Sequence, residues 1–284
     1  MKRTKLNVVD HDRDSAGLHY VYPVVSRRAG GVSVGVNLNV NQACNWRCIY
    51  CQVPNLTLGT APPVDMVLLE TELRCFLQEV LQGDFMQQKV PEGARRINDI
   101  ALSGDGEPTS AKEFLQVVAL IGKIKQELML PVEIKSILIT NGSLLHRPNV
   151  QQGLQLLSQF NGEVWFKLDR ASKAGMEEIN NTQTSMEKVR KNLAASIGLC
   201  ATWLQTCWFT LDGLAPTRQD EDDYLHFVEG LIQENICPQG VLLYSIARPS
   251  HQAEAPRLTA LTAQQLELFA DRIRALGLTV KVSP

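Results

Sequence analysis

The chain has 284 residues, of which 44% are hydrophobic and 20% charged, and its formal net charge is −2. This composition suits one large α/β domain with a substantial core, and the weak net charge argues against a general surface for polyanions such as nucleic acid. No stretch approaches the roughly 18 apolar residues of a membrane span, and the first residues lack the apolar segment of a signal peptide. We therefore expect a cytoplasmic protein whose seven cysteines are reduced thiols or metal ligands rather than disulfides.

Strand-like and helix-like segments alternate along the chain without an obvious linker, low-complexity tract or repeat. This alternation predicts βα units around a parallel sheet. Strands are expected near residues 32–40, 99–103, 133–140, 163–169, 202–211 and 240–247, with a short closing strand near 278–282. Helices are expected near residues 64–81, 111–128, 150–160, 185–197, 220–234 and 263–276.

The N-terminal residues 1–31 are predicted to form an arm, and residues 32–284 a single domain. The arm has a local net charge of +3, and its basic residues are Lys2, Arg3, Lys5, Arg13, Arg27 and Arg28. Such an arm could contact phosphates, although a solvated tail is the ordinary explanation of a short charged run.

Three cysteines, Cys44, Cys48 and Cys51, have the spacing C-x-x-x-C-x-x-C at the end of the first predicted strand. Three thiolates so close in sequence can hold an iron–sulfur cluster that normally takes four protein ligands, which leaves one iron open for chemistry. The alternatives are a zinc site and redox-active thiols. A zinc site usually has a second pair of ligands, and neither the five scattered histidines nor the other four cysteines supply one at short spacing.

The cysteine spacing, with the aromatic Tyr50 just before the third cysteine, resembles the signature of the radical S-adenosylmethionine (SAM) superfamily. The resemblance implies a [4Fe–4S] cluster on the three cysteines, with the amino and carboxylate groups of SAM chelating the open iron. It also implies that the six βα units form the partial (β/α)6, TIM-like barrel of that family, open on one side. In barrels of parallel strands, chemistry gathers at the carboxyl ends of the strands, where further motifs of this chain fall.

Two turns follow the second and third predicted strands, at residues 104–107 and 140–143. Glycines in the first turn allow a ligand to approach the backbone, and Glu107 supplies an acceptor for an ammonium, although either turn taken alone is ordinary. Their places resemble the family motifs that bind the amino group of SAM and lie near its ribose and methionyl groups. The SAM contacts thus implied are Gly104, Asp105, Gly106, Glu107, Thr140, Asn141 and Ser143.

The fourth predicted strand places Trp165, Lys167 and Asp169 on one face. Adjacent charges usually form a solvated pair, but parallel sheets are covered on both faces. We therefore predict that Lys167 and Asp169 either hold the SAM carboxylate or act on the substrate.

The sixth predicted strand is a continuous apolar run, which suits a buried parallel strand. Its end offers Tyr244 and Ser245 to an aromatic ring, and the resemblance places adenine there. Arg248, followed by Pro249, resembles a segment of one branch of the family. The alternative is a buried strand followed by a plain turn.

The order of these motifs resembles the branch that contains wyosine-synthetase-like tRNA-modifying enzymes and bacterial relatives of unassigned role. Residues 1–43 contain no cysteine, so the second cluster of the wyosine type is not expected. The resemblance implies a flavodoxin- or ferredoxin-type electron donor. It also implies reductive cleavage of SAM to a 5′-deoxyadenosyl radical, which abstracts hydrogen from an unidentified substrate.

A small molecule or a peptide is the favoured substrate, because the overall charge does not indicate nucleic acid. A tRNA-modifying enzyme is the first alternative, and a noncatalytic iron–sulfur carrier or redox sensor is the second. Candidate substrate contacts on and after the fifth predicted strand are Gln205, Thr206, Thr210 and Asp212.

Overall fold

A computed structural model describes residues 6, 16–26 and 30–284, and the elements below belong to this part of the chain. The strands are β1 (Val21–Ser26), β2 (Gly31–Val36), β3 (Ala43–Cys44), β4 (Thr57–Leu58), β5 (Ile97–Leu102), β6 (Lys135–Thr140), β7 (Gly162–Lys167), β8 (Ala201–Cys207), β9 (Phe209–Leu211), β10 (Val241–Tyr244), β11 (Leu258–Ala260) and β12 (Val280–Ser283). The helices are α1 (Met66–Gln82), α2 (Phe85–Lys89), α3 (Phe114–Glu127), α4 (Pro148–Ser158), α5 (Lys173–Asn180), α6 (Met186–Leu199), α7 (Arg218–Gln233) and α8 (Ala263–Arg274).

Eight of these strands form one sheet in the order β1-β2-β5-β6-β7-β8-β10-β12. β1 is antiparallel to β2, and all other neighbouring pairs in this sheet are parallel. Side chains from β1, at one edge, and from β10, near the other, line the same interior cavity, so the sheet curls around it. The predicted α/β partial barrel of six βα units is therefore confirmed, and β12 is the predicted closing strand.

The two faces of the sheet carry different side chains, and β2 shows the pattern. Val32, Val34 and Val36 are fully buried in the main hydrophobic core, while Ser33 on the opposite face lines the cavity. Because successive residues of a strand point to opposite faces, the outer face packs in the core and the inner face is left for polar groups. The helices that follow begin at defined caps, as at Thr217 and Thr262, which form capping boxes.

The strand β1 was not predicted, since residues 1–31 were assigned to an arm. Its hydrogen bonds to β2 make residues 21–26 part of the sheet. Pro23 fits an edge strand, where a missing N–H is tolerated. The basic residues proposed for the arm, Lys2, Arg3, Lys5, Arg13, Arg27 and Arg28, lie outside the described residues.

Several predicted strands were too long, which changes where their last residues point. The strand predicted at 202–211 ends at Cys207, and residues 209–211 form β9, which pairs with β11 outside the main sheet. Trp208 separates the two because its ring stacks on Phe269, with 3.8 Å between ring centroids. Residues 202–211 contain no Gly or Pro, so the sequence carries no signal for such a break. No helix of the described residues is both long and apolar enough to cross a membrane.

A buried carboxylate on α1 anchors the entry to β1, and this contact generates a stability prediction. Glu72 accepts hydrogen bonds from the backbone N–H groups of His19 and Tyr20, each at 2.7 Å. Replacing Glu72 with alanine leaves both donors without their acceptor, so we expect Glu72→Ala to lower the free energy of unfolding by about 2–3 kcal/mol. Chemical denaturation measures this loss.

The control is Glu79→Ala, which removes an exposed carboxylate from the same helix. It should change the unfolding free energy by less than about 0.5 kcal/mol. Equal effects of the two substitutions would contradict the anchoring role of Glu72.

Candidate active site

A cavity of about 310 Å³ lies inside the curled sheet, and most of the predicted site residues line it. Those in the lining are Cys44, Cys48, Tyr50, Cys51, Gly104, Asp105, Gly106, Glu107, Asn141, Lys167, Tyr244, Ser245 and Arg248. Three predicted residues, Thr140, Ser143 and Asp169, are buried beside the cavity without being part of its lining. The structure thus gathers the predicted motifs, which are spread over about 200 positions of the sequence, in one place.

The cysteine loop, residues 44–51, is held on one side by the end of α5. The backbone N–H of Ile49 donates to the carbonyl of Ile179 (2.9 Å), and the Asn181 side chain donates to the carbonyl of Arg47 (2.9 Å). Tyr50 also packs on Phe209 in a small apolar cluster beneath the loop. The loop conformation therefore has support from a neighbouring helix and from the protein interior.

The segment after β10 holds the other side of the cysteine loop. The Ser250 hydroxyl donates to the carbonyls of Ile49 (2.8 Å) and Cys51 (3.1 Å), and the His251 N–H donates to the Cys51 carbonyl (2.9 Å). The Arg248 side chain, predicted to contact SAM, donates to the side-chain oxygen of Gln52 at 3.0 Å. One nitrogen of the Arg248 guanidinium therefore holds Gln52, the residue that follows the loop.

Two thiols of this loop have a raised pKa. Burial raises the pKa of the Cys44 thiol to about 11. Burial likewise raises the pKa of Cys48 to about 12, against the opposing influence of Lys167. A coordinated metal deprotonates a thiol outright, so a bound metal would ionise these two groups despite their raised pKa. Among the described residues, no group of three or more His, Cys, Asp or Glu side chains is arranged to hold a single metal ion.

The two glycines of the 104–107 turn are required by close packing, Gly104 against Asn37 and Gly106 against Ala43, just before the cysteine loop. A Cβ at Gly106 would overlap the carbonyl oxygen of Ala43. The turn is fixed by Asn37, whose amide donates to the Asp105 carboxylate (2.6 Å) and whose oxygen accepts from the Asp105 N–H (3.0 Å). The carboxylate and the N–H of Asp105, a predicted SAM contact, are therefore both hydrogen-bonded to Asn37.

Glu107 is buried, and most of its acceptor capacity is used by the protein. Oε1 accepts from the Thr109 N–H (3.1 Å) and from the hydroxyls of Thr109 and Thr140 (2.6 Å each), while Oε2 accepts from the Asn141 N–H (2.7 Å). Burial raises the pKa of Glu107, although these hydrogen bonds oppose the shift. Because a carboxylate has about four acceptor positions, two on each oxygen, only Oε2 has room for one more donor.

Asn141 and Ser143 belong to a small network that reaches the cysteine loop. The Asn141 amide donates to Asn45 Oδ1 (2.8 Å), and the Asn45 amide donates to the Ser143 hydroxyl (2.8 Å). Ser143 donates in turn to Asn141 Oδ1 (2.7 Å). Ser143 therefore positions Asn141, and Thr140 positions Glu107. In the turn at 140–143, the residue that lines the cavity is Asn141.

Asp169, predicted to act in catalysis, is instead surrounded by donors from the protein. It accepts from the Tyr50 hydroxyl (2.5 Å), from the Asn180 amide (2.7 Å) and from the Cys207 N–H (2.9 Å). Its neighbour Lys167 lies in the cavity wall, with its ammonium 4.9 Å from the centre of the Tyr50 ring. Burial by itself would lower the pKa of Lys167, but Tyr244 and Asp169 beside it raise the pKa above its usual range, so Lys167 carries a positive charge.

The end of β10 places Tyr244 in the cavity wall and turns the hydroxyl of Ser245 elsewhere. Ser245 Oγ donates to the carbonyl of Trp208 (2.7 Å) and accepts from the N–H of Leu261 (2.8 Å). Ser245 can therefore offer a ligand its backbone, whereas its side chain joins β10 to the segments on either side.

Of the four residues suggested for substrate contact, only Gln205 lines the cavity. Its Oε1 atom is buried and has no hydrogen-bond partner in the described part of the chain. Thr206 faces the other way and pairs with the Tyr224 hydroxyl at 2.8 Å. Thr210 and Asp212 lie on or beside β9, where Asp212 forms an exposed ion pair with Arg257.

Sequence reasoning missed Asn180 and the inner lining of the cavity. Asn180 ends an ordinary amphipathic helix, α5, and no motif distinguishes it. The inner lining includes Tyr22, Ser33, Asp99 and Trp165. The alternation of residues along β7 predicts Trp165 on the same face as Lys167. Tyr22 lies on β1, which the sequence did not predict as part of the sheet.

Comparison with known proteins gives distant relatives. No protein-family model matches the chain. A GTPase Obg of Brachyspira hyodysenteriae is 26% identical over 249 residues, which cover 83% of this chain and 31% of that protein. A UPF0026 protein of Helicobacter pylori is 31% identical over 138 residues, which cover 47% of this chain and 38% of that protein. The chain thus spans about a third of the length of these curated relatives.

The GTPase name is not transferred to this chain. The sequence contains no G-x-x-x-x-G-K-S/T loop, the motif with which P-loop GTPases bind phosphates. Only a third of that relative is matched, so the name describes a protein with much additional sequence.

Solved structures give a clearer result for the fold. SuiB of Streptococcus suis, in its structure bound to S-adenosylmethionine, matches with a TM-score of 0.55 at 13% identity, over 85% of this chain and 48% of SuiB. A radical SAM methyltransferase from Sphaerobacter thermophilus matches with a TM-score of 0.58 at 14% identity, over 89% of this chain and 66% of the methyltransferase. At such identities the likeness establishes architecture, and the chain has the partial-barrel fold of these radical SAM enzymes.

Proposed function

We propose that this protein is a radical SAM enzyme, with a [4Fe–4S] cluster held by Cys44, Cys48 and Cys51. The observation that carries the proposal is the convergence of these three thiols and the 104–107 turn on one cavity, in a fold shared with radical SAM enzymes. Neither the thiol spacing nor the turn is specific alone. Together, at the carboxyl ends of neighbouring parallel strands, they form a site for a cluster and a ligand beside it.

The residues present fit the chemistry of an iron–sulfur cluster. Its usual ligands are cysteine thiolates, and three of them on one loop leave one iron without a protein ligand. Each thiolate of a cluster binds a different iron, so the thiols need not converge on one point as the ligands of a single ion do. The amide of Asn180, 3.2 Å from Cys48 Sγ, supplies a hydrogen-bond donor to sulfur. Such donors are common around cluster ligands.

When bound, the cluster and SAM supply reductive cleavage of SAM and a 5′-deoxyadenosyl radical for hydrogen abstraction. The protein's own residues bind SAM and orient it. Glu107 Oε2 has room for one donor, which suits the amino group of SAM, and Lys167 offers a positive charge to its carboxylate. Tyr244 presents a ring in the cavity wall for stacking. An electron donor of the flavodoxin or ferredoxin type completes the proposal.

The inner part of the cavity is the proposed place for the substrate. Its lining includes Tyr22, Trp165 and Gln205, which offer two aromatic surfaces and one acceptor, and the hydrogen-bonded pair of Ser33 and Asp99. This lining favours a small molecule or a peptide side chain that carries an N–H or O–H group. The relation to the wyosine-synthetase-like branch, and with it a tRNA substrate, stays a prediction.

Reconstitution tests the proposal directly. After anaerobic incubation with iron and sulfide, the wild-type protein should show iron–sulfur absorbance and, with reductant and SAM, release 5′-deoxyadenosine. Cys48→Ala should lose the absorbance, because the remaining two thiolates of the loop hold a cluster poorly. Cys207→Ala should keep it, since Cys207 is a buried residue of β8 and not part of the loop.

Two outcomes would contradict this assignment. An intact cluster that yields no 5′-deoxyadenosine above background would point to an electron carrier or redox sensor. Loss of the cluster in Cys207→Ala, with Cys48→Ala unaffected, would mean that the ligands are placed wrongly.

The unpartnered oxygen of Gln205 gives a prediction about stability. A buried carbonyl without a donor costs about 1–3 kcal/mol, so Gln205→Met, which is similar in size and apolar, should raise the free energy of unfolding by about 1 kcal/mol in the absence of substrate. Thr206→Val should lower it by a similar amount because Tyr224 loses its partner. Chemical denaturation compares the two. A loss of stability in Gln205→Met would show that the oxygen is already satisfied, for example by water.

A further inference from the structure

Three consecutive residues at the end of α5 contact the cysteine loop. Ile179 accepts from the N–H of Ile49, and Asn181 donates to the carbonyl of Arg47. Between them, Asn180 donates from its side-chain amide to Cys48 Sγ at 3.2 Å. Asn180 is therefore the one of the three whose side chain reaches a sulfur atom of the loop.

The orientation of the Asn180 amide is determined by its second partner. The same nitrogen donates to Asp169 Oδ2 at 2.7 Å. An ionised carboxylate only accepts hydrogen bonds, so the nitrogen of Asn180, and not its oxygen, must face Asp169. The two hydrogens of the amide are thus divided between one oxygen of Asp169 and the sulfur of Cys48.

Asp169 is itself held in place, which makes the Asn180 contact rigid. The Tyr50 hydroxyl donates to the same Oδ2 atom, and the Cys207 N–H donates to Oδ1. Asn180 is 1% exposed, so water does not compete for its hydrogens. A fixed and buried donor to a thiolate is electrostatically stronger than the same donor in water.

We infer that Asn180 is a positioning residue which raises the reduction potential of the cluster through its hydrogen bond to Cys48. The inference rests on the proposed function, because it requires a cluster on that cysteine. Reduction adds negative charge to the cluster and its sulfur ligands. A donor to one of those sulfurs stabilises the reduced form more than the oxidised form, which shifts the potential upward.

The test is a redox titration of the reconstituted protein, with no substrate required. Asn180→Leu replaces the amide with an apolar side chain of similar size. At a fixed electrode potential, we expect the ratio of reduced to oxidised cluster to fall by about tenfold relative to wild type, which is about 59 mV for a one-electron couple. The ratio is measured from the absorbance and the electron paramagnetic resonance signal of the reduced cluster.

The matched control is Asn181→Gly. It removes the neighbouring side-chain contact with the same loop, and glycine accepts the left-handed backbone of this position, where φ is +48°. This variant keeps the donor to Cys48, so its potential should equal that of wild type. An equal fall in both variants would assign the effect to loosening of the loop and overturn the inference.

The outcomes also separate this inference from the proposed function. A wild-type protein that assembles no cluster refutes the proposed function and, with it, the inference. A full cluster in Asn180→Leu with an unchanged potential refutes only the role of Asn180. If Asn180→Leu does not fold, Asn180→Ala removes the donor with a smaller change in packing, and the same titration decides between a lowered and an unchanged potential.

Discussion

Burial of the Asp169 carboxylate is the constraint on which the geometry of the site depends. A charge taken out of water is stable only when hydrogen-bond donors surround it. The donors of Asp169 come from the cysteine loop, from α5 and from β8, through Tyr50, Asn180 and Cys207. Asp169, just after β7, thereby joins the cysteine loop to α5 and β8, although Tyr50 of that loop lies 119 positions earlier in the sequence. Removing any of these donors would leave part of a buried charge unsatisfied.

Glu107 and Glu72 follow the same rule at other places in the fold. Glu107 joins the end of β5 to the end of β6, and Glu72 joins α1 to the entry of β1. Because these acids are mostly occupied by the protein, few polar groups are left to receive a ligand. Those left in the cavity include the second oxygen of Glu107, the ammonium of Lys167 and the side-chain oxygen of Gln205. The residues around the cavity are therefore held by one another, and a ligand meets a small number of polar groups at fixed positions.

The sequence predicted which segments converge, and not which way their side chains turn. Alternation of strands and helices indicated six βα units, and parallel strands necessarily bring their carboxyl ends to one edge, so the cysteine loop and the turns at 104–107 and 140–143 had to meet. Orientation within a turn depends on partners distant in sequence. The Ser245 hydroxyl, for instance, forms hydrogen bonds with Trp208 and Leu261, so it does not point to a ligand in the cavity. The role of Asn180 could not be predicted for the same reason, since its partners Cys48 and Asp169 lie outside α5 and no local pattern marks it.

Hydrogen bonds and apolar packing within the chain hold the cysteine loop in place. In small zinc domains, the metal supplies most of the folding free energy and the chain is unfolded without it. Here the loop is fixed by backbone bonds to Ile179 and by the Ser250 hydroxyl, over an apolar cluster that contains Ile49 and Tyr50. Contacts made by the chain itself thus place the three thiols on one wall of the cavity. Two tasks are thus separate: the fold positions the sulfur atoms, and ligation by iron would ionise thiols such as Cys44 and Cys48, whose pKa burial raises.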